Sequence, residues 1–184
     1  MKHLRKVIFG LALLGFSSGV SAFMFLPNNA KELADKSEVI VHGICESREA
    51  TTIKDPKWGG DRPVDHYKLK VLEVLKGAVA SPVFEWSQPS PKQSQYTPPG
   101  LTVGKEYLLF FTKESASGIR LMTGSLGEGA FSVSADAKGA KTVVNPFGNR
   151  GLVETSSGKS SVLKGAQDSS EGTLSYDKLK QLIQ

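Results

Sequence analysis

The sequence predicts a mainly β protein, a small closed or partly closed barrel with a short helix near its N-terminus and another at its C-terminus. Three observations carry that prediction. Short β-branched and aromatic runs recur along the chain, separated by turns rich in Gly and Pro. Helical periodicity is confined to two stretches near the ends. The longest alternating run changes phase midway, which is the mark of the β-bulge that bends strands in small barrels.

Each element has its own signal. Residues 28–36 suit a short amphipathic helix capped by Asn28 or Asn29, with Phe23 to Leu26 and Leu33 as its apolar contacts. Glu38 to Cys45 is β-branched and reads as a strand. Alternation puts Val39, Val41, Gly43 and Cys45 on one face, and Ile40, His42 and Ile44 on the other. Residues 51–65 are broken by Pro56, Gly59, Gly60 and Pro63 and read as a loop, with Trp58-Gly-Gly-Asp61 as its exposed tip. His66 to Gly77 is the strand whose phase slips: Tyr67, Leu69 and Val71 alternate, and then Leu72, Val74 and Leu75 become the apolar set.

Pro82 to Trp86 is a short strand. The segment from 87 to 100 carries Pro89, Pro91, Pro98 and Pro99 and reads as a partly extended loop. Glu106 to Thr112 is nearly all apolar, the best central-strand candidate. Ile119 to Met122, Phe131 to Ser134 and Thr142 to Val144 are three further short strands between Gly-rich turns. Ser175 caps a last helix, Tyr176 to Ile183, with Leu179, Leu182 and Ile183 on one side. Many short, bent strands with helices only at the ends indicate an OB-like small Greek-key barrel.

Charge and cysteine usage bear on compartment. The chain has 184 residues and a formal charge of +5. Lys2, Arg5 and Lys6 precede an apolar run from Val7 to Phe16, and small residues end it at Val20-Ser-Ala22, the pattern of an export signal over residues 1–22. That run is too short to span a bilayer as a mature helix, and nothing after it qualifies. Three of the 23 basic residues and none of the 18 acidic ones lie in the segment, so the remainder carries about +2. Export and this near-neutral balance argue against nucleic acid as a partner. The expected organisation is a signal peptide (1–22), an OB-like barrel domain (23–154), and a Ser/Gly-rich linker with the C-terminal helix (155–184). The destination is the periplasm or the medium. The single cysteine, Cys45, forms no internal disulfide and reads as a small buried hydrophobe.

Familiar catalytic and metal motifs are missing. His42 and Cys45 point to opposite faces of a regular strand, and there is neither H-E-x-x-H nor a paired Cys motif, so neither a metal nor any other cofactor is expected. Gly158-Lys-Ser160 lacks the upstream glycine of a phosphate-binding loop, and Gly124 to Gly129 reads as turn glycines. Asp55, Asp61 and Asp65 lack the spacing of a calcium loop and read as a solvated loop. Serine is abundant, yet neither His42 nor His66 stands in a recognisable catalytic setting.

Three segments occur together in a suggestive order: Leu33-Ala-Asp-Lys-Ser-Glu-Val-Ile-Val-His-Gly43, Tyr67-Lys-Leu-Lys-Val-Leu-Glu-Val-Leu-Lys-Gly77 and Leu101-Thr-Val-Gly-Lys-Glu-Tyr-Leu-Leu-Phe110. Over about residues 28–135 the chain resembles the N-terminal domain of the tissue inhibitors of metalloproteinases and related bacterial secreted proteins with a netrin-like OB barrel. The resemblance implies a non-enzymatic barrel whose partner is a protein, with a secreted metalloprotease as one such partner. In the animal inhibitors an N-terminal cysteine chelates the protease zinc and disulfides hold that edge. Here the expected mature terminus is Phe23-Met24-Phe25, without cysteine, so its α-amine alone could serve and packing would have to fix it. The loop bearing Trp58 and Asp61 takes the place of the long first hairpin, which in the family touches partners. An exposed Trp is a natural anchor there, although Trp58 can equally fold back onto the barrel. The expected function is therefore an exported protein-binding module, with contacts expected at Phe23, Met24, Phe25, Trp58 and Asp61. The alternatives are a metalloprotease inhibitor acting through the mature N-terminus, an envelope-associated structural protein, and a hydrolase with an unrecognised site.

Overall fold

The computed structural model describes residues 28–54, 59–90, 100–152 and 172–184. In chain order the elements are helix α1 (Ala30–Lys36), strands β1 (Val39–Lys54), β2 (Asp61–Lys76), β3 (Val83–Pro89), β4 (Glu106–Phe111), β5 (Ala130–Ala135), β6 (Lys141–Val144) and β7 (Leu174–Ser175), and helix α2 (Tyr176–Ile183). The protein is mainly β, as its sequence predicts. The expected linker and the residues before 28 lie outside the described residues, as do Phe23, Met24, Phe25 and Trp58. No helix among the described residues is long and apolar enough to cross a membrane.

All seven strands join one antiparallel sheet in the order β3-β2-β1-β4-β5-β6-β7. β1, β2 and β3 form a meander, and β4 returns to lie beside β1, which is the Greek-key arrangement. The chain between β4 and β5 then closes the barrel. Ile119 bridges Ser87 of β3 in parallel, and Met122 bridges Phe111 of β4. Arg120 N–H donates to Ser87 O at 2.9 Å and Thr112 N–H to Leu121 O at 2.9 Å. The expected strand Ile119–Met122 is thus present only as bridge pairs, but it occupies the closing position of an OB-like barrel.

Bulges bend the first hairpin. The β1–β2 register passes from Val41↔Val74 and His42↔Glu73 to Gly43↔Val71, leaving Leu72 as the extra residue. This is the slip that the sequence pattern places after Val71. Further shifts leave Leu75 and Glu46 without a partner across the ladder. At the central shift, a Cβ on Gly43 would lie 2.3 Å from the Lys70 carbonyl oxygen, so only glycine lets the strands approach there. The apolar set expected after the slip is split by the bend: Leu75 packs on a core, whereas Leu72 and Val74 are exposed.

The hairpin is also longer than its composition suggests. β1 continues to Lys54 and β2 begins at Asp61, so most of the expected 51–65 loop is paired strand. Mutual backbone pairing outweighs the Gly and Pro signals. Pro63 is tolerated because it lies just beyond Val64↔Pro89, where the β2–β3 ladder starts and β2 is an edge. β3 likewise runs past Trp86 to Pro89.

Alternation along β1 and β4 feeds two cores. Val39, Val41 and Cys45 join Tyr67, Leu69, Phe84, Trp86, Leu109 and Phe111 inside the barrel. Trp86 organises this core: its ring centroid is 4.9 Å from Tyr67, stacked, and 4.9 Å from Phe111, edge-on. Ile40, Leu108, Phe110, Phe131 and Val143 point outward and are covered by Leu33 of α1 and by Tyr176 and Leu179 of α2. Asn29 caps α1 in a capping box with Glu32, and Ser175 caps α2. The C-terminal helix is therefore part of the barrel's packing, and β7 ahead of it extends the sheet through Val143↔Leu174.

Leu179 is fully buried between the layers. Leu179→Ala is expected to destabilise the protein by about 2–5 kcal/mol, the range for truncating a buried leucine. A lower denaturant midpoint at unchanged slope would show it, and an unchanged midpoint would mean that α2 is a dispensable appendage.

Candidate functional site

The described surface has one feature that the cores do not explain, a two-stranded arm. β4 pairs with β1 only as far as Ile44, and β3 pairs with β2 only from Val64. Beyond those points the ladder of β1 and β2 runs with neither neighbour, from Thr52↔Pro63 to Lys54↔Asp61. Glu49 to Thr52, Lys54 and Gly59 to Arg62 are exposed. Asp61 is the first residue of β2, exposed and paired with Lys54 at the outer end of the arm. Of the residues expected to make contacts, it is the one within the described chain.

The base of the arm is locked by a buried charge. Arg48 donates from Nε (3.0 Å) and Nη2 (2.7 Å) to Oδ2 of Asp65, whose side chain is 3% exposed. The guanidinium also lies 5.9 Å from the ring centre of Tyr67, its cross-strand partner. Burial pushes the Tyr67 hydroxyl up to about 12, so it is a neutral donor, and it donates to Asp65 at 3.4 Å. The expectation that Asp55, Asp61 and Asp65 form a solvated loop therefore fails for Asp65. That residue faces inward on a strand, and its charge is balanced by Arg48. Asp55 lies outside the described residues.

Two further polar groupings bring together residues that sequence spacing does not connect. On the outer face of β2 and β3, His66 Nδ1 is 3.1 Å from Ser87 Oγ, and Nε2 is 3.2 Å from Glu85 Oε2. A neutral imidazole satisfies both contacts when Ser87 donates to Nδ1 and Nε2–H donates to Glu85. These are the residue types of a proton relay to a serine. Ser87, however, stands mid-strand, paired with His66 on one side and bridged to Ile119 on the other. That backbone has no sharp turn presenting a nucleophile beside free N–H groups. As built, the trio ties β2 to β3.

The second grouping lies beneath α2. His42, 4% exposed, contacts Glu106 Oε1 through Nε2 at 2.5 Å, and Lys141 Nζ donates to the same oxygen at 2.5 Å. Glu73 accepts from the Tyr176 hydroxyl at 2.8 Å and from Lys180. The Tyr176 ring is 4.8 Å from the His42 ring. Burial holds the His42 imidazole below its ordinary range, against the opposing pull of Glu106. Burial pushes the Glu106 carboxyl up, but bonds from Lys141 and His42 outweigh it and keep that group low. The Lys180 bond does most to lower Glu73. These partners are 35 to 107 residues apart in sequence, so no local motif announces them.

Cys45 is fully buried within the barrel, and burial raises its thiol pKa, as suits a packing residue. Among the described residues no group of three or more His, Cys, Asp and Glu side chains is placed to hold a metal ion. No protein-family model matches the chain, and no curated protein matches it in sequence.

Because Asp65 is buried, losing its partner should cost more than losing a surface ion pair. Arg48→Ala is expected to destabilise by about 1–3 kcal/mol. The added change Asp65→Ala should recover part of that loss, which thermal unfolding of the single and double variants would check.

Proposed function

We propose that the protein is an exported, non-enzymatic binding module that engages a protein partner through the β1–β2 arm. The exposure of that arm is the observation that carries the reading. Thr52 to Lys54 and Asp61 to Pro63 form a ladder that covers no core of its own. A solvated two-stranded ribbon is marginal alone, so its order derives from the Arg48–Asp65 base and the barrel behind it. Both of its outer edges lie beyond the ladders to β3 and β4, which suits strand addition by a partner. Asp61, and Trp58 near it in sequence, would lie at the contact.

The test is an arm-shortened protein in which Thr52 through Pro63 are replaced by an Asn-Gly turn. Its thermal unfolding should match that of the native chain, because the removed residues lie beyond both cores. Proteins captured by the native mature chain from an envelope extract should be absent from the variant's eluate. Recovery of the same proteins by both would refute the arm as the binding surface.

Inhibition of a secreted metalloprotease is the second reading, and one contact favours it. The Asn28 backbone N–H donates to Glu128 Oε1 at 2.8 Å, and its side-chain amide donates to Oε2 at 2.6 Å. Glu128 is 1% exposed, so the chain is clamped five residues after the expected terminus Phe23. This clamp supplies the kind of anchorage that disulfides give the inhibitors. Mature protein should then slow a secreted zinc protease, and one extra residue before Phe23 should abolish the effect. A panel of such proteases left untouched overturns this reading.

A further inference from the structure

We propose that helix α2 is an acid-released clasp, seated on the outer face of the barrel while His42 is neutral and loosened when His42 takes up a proton. The geometry places His42 at the junction. It lies in the first part of β1, where β4 pairs with it, under α2, with the Tyr176 ring 4.8 Å away. Every element packed around it contributes a charged or titratable group. β2 contributes Glu73, directly across the ladder, and β4 contributes Glu106, its hydrogen-bond partner. β6 supplies Lys141, and α2 supplies Tyr176 and Lys180, with Asp177 acting on Tyr176.

Counting charge decides the direction. Two carboxylates, Glu73 and Glu106, face two ammonium groups, Lys180 and Lys141. The cluster is balanced while the imidazole is neutral, with Nε2–H donating to Glu106. A proton on His42 adds an uncompensated charge to a ring that is itself almost closed to water, which is costly. Both side-chain hydrogen bonds from α2 into this layer, from Tyr176 and Lys180, end on Glu73, the cross-strand neighbour of His42. The added charge therefore falls where α2 is tied down. Release would uncover the part of the outer core that Tyr176 and Leu179 cover.

The pH window follows from linkage. Burial keeps the folded His42 below its ordinary value of 6.5, so the unfolded or undocked form binds the proton first. The neutral-state contribution is complete above that value and is lost as pH falls through and below it. Glu73 and Glu106 are held below their ordinary value of 4.5, so their loss comes at lower pH and is separable.

Hydrogen exchange on the full mature chain, at about pH 7.5 and about pH 5.5 and corrected for intrinsic rates, tests the clasp. Protection in 176–183 should be lost at the lower pH while that of β4 persists. His42→Gln retains a donor to Glu106 and cannot titrate, so it should abolish this selective loss. Persistent α2 protection in the native protein, or the same selective loss in His42→Gln, overturns the proposal. If that variant does not fold, NMR titration of the native imidazoles decides. Proton uptake by His42 below its ordinary range that moves the Tyr176 ring signals supports the clasp. Uptake without such movement, or at an unshifted pKa, refutes it.

Discussion

Everything in this molecule depends on β1 being buried on both faces. A strand presents alternate residues to opposite sides, so one run of β-branched residues can serve two cores. Val39, Val41 and Cys45 close the barrel interior, while Ile40 and His42 support the layer beneath the helices. β1 is also the strand beside which both β2 and β4 pair, so it sets the register of the first hairpin and of the Greek-key return. A slip of one residue would exchange its inward and outward sets and spoil both cores together.

The same alternation explains where the polar groups are. The interior is aromatic and aliphatic around Trp86, whereas the outer layer contains a balanced set of charges because His42 alternates with apolar neighbours on the outward face. β4 repeats the pattern: Glu106, Leu108 and Phe110 point outward, and Tyr107, Leu109 and Phe111 point inward. Where β1 outruns its neighbours, neither face has a core to join. There the hairpin becomes an exposed arm, and Arg48 with Asp65 marks the boundary between barrel and arm. Packing and solvation thus divide one 16-residue strand into a structural half and a surface half.

The elements that were legible have local causes. The helix from Ala30 is announced by Asn28 and Asn29, of which Asn29 proves to be the cap, and the last helix by Ser175 ahead of an apolar stripe. The bulge at Leu72 is visible as a phase change, because periodicity is a property of neighbouring residues. The length of the first hairpin was not legible. Gly59 and Gly60 do lie between the strands, but Thr51 to Lys54 and Asp61 to Asp65, Pro63 among them, are drawn into the ladder by the strand opposite, which local propensity does not include. Asp65 departs from its local expectation for the same reason: its burial depends on Arg48 on the other strand. The polar cluster under α2 was invisible because its members come from four strands and a helix.

The sequence by itself determined the mainly β class, both helices, the two faces of β1, and the place of the bend in β2. These follow from spacing and side-chain chemistry within a few residues. Only the tertiary structure decided that 119–123 closes the barrel, that the C-terminal helix is a second layer over its outer face, and that His42 sits within a balanced set of charges. Each of these depends on contacts between distant segments, whose energies exist only once the chain has brought them together.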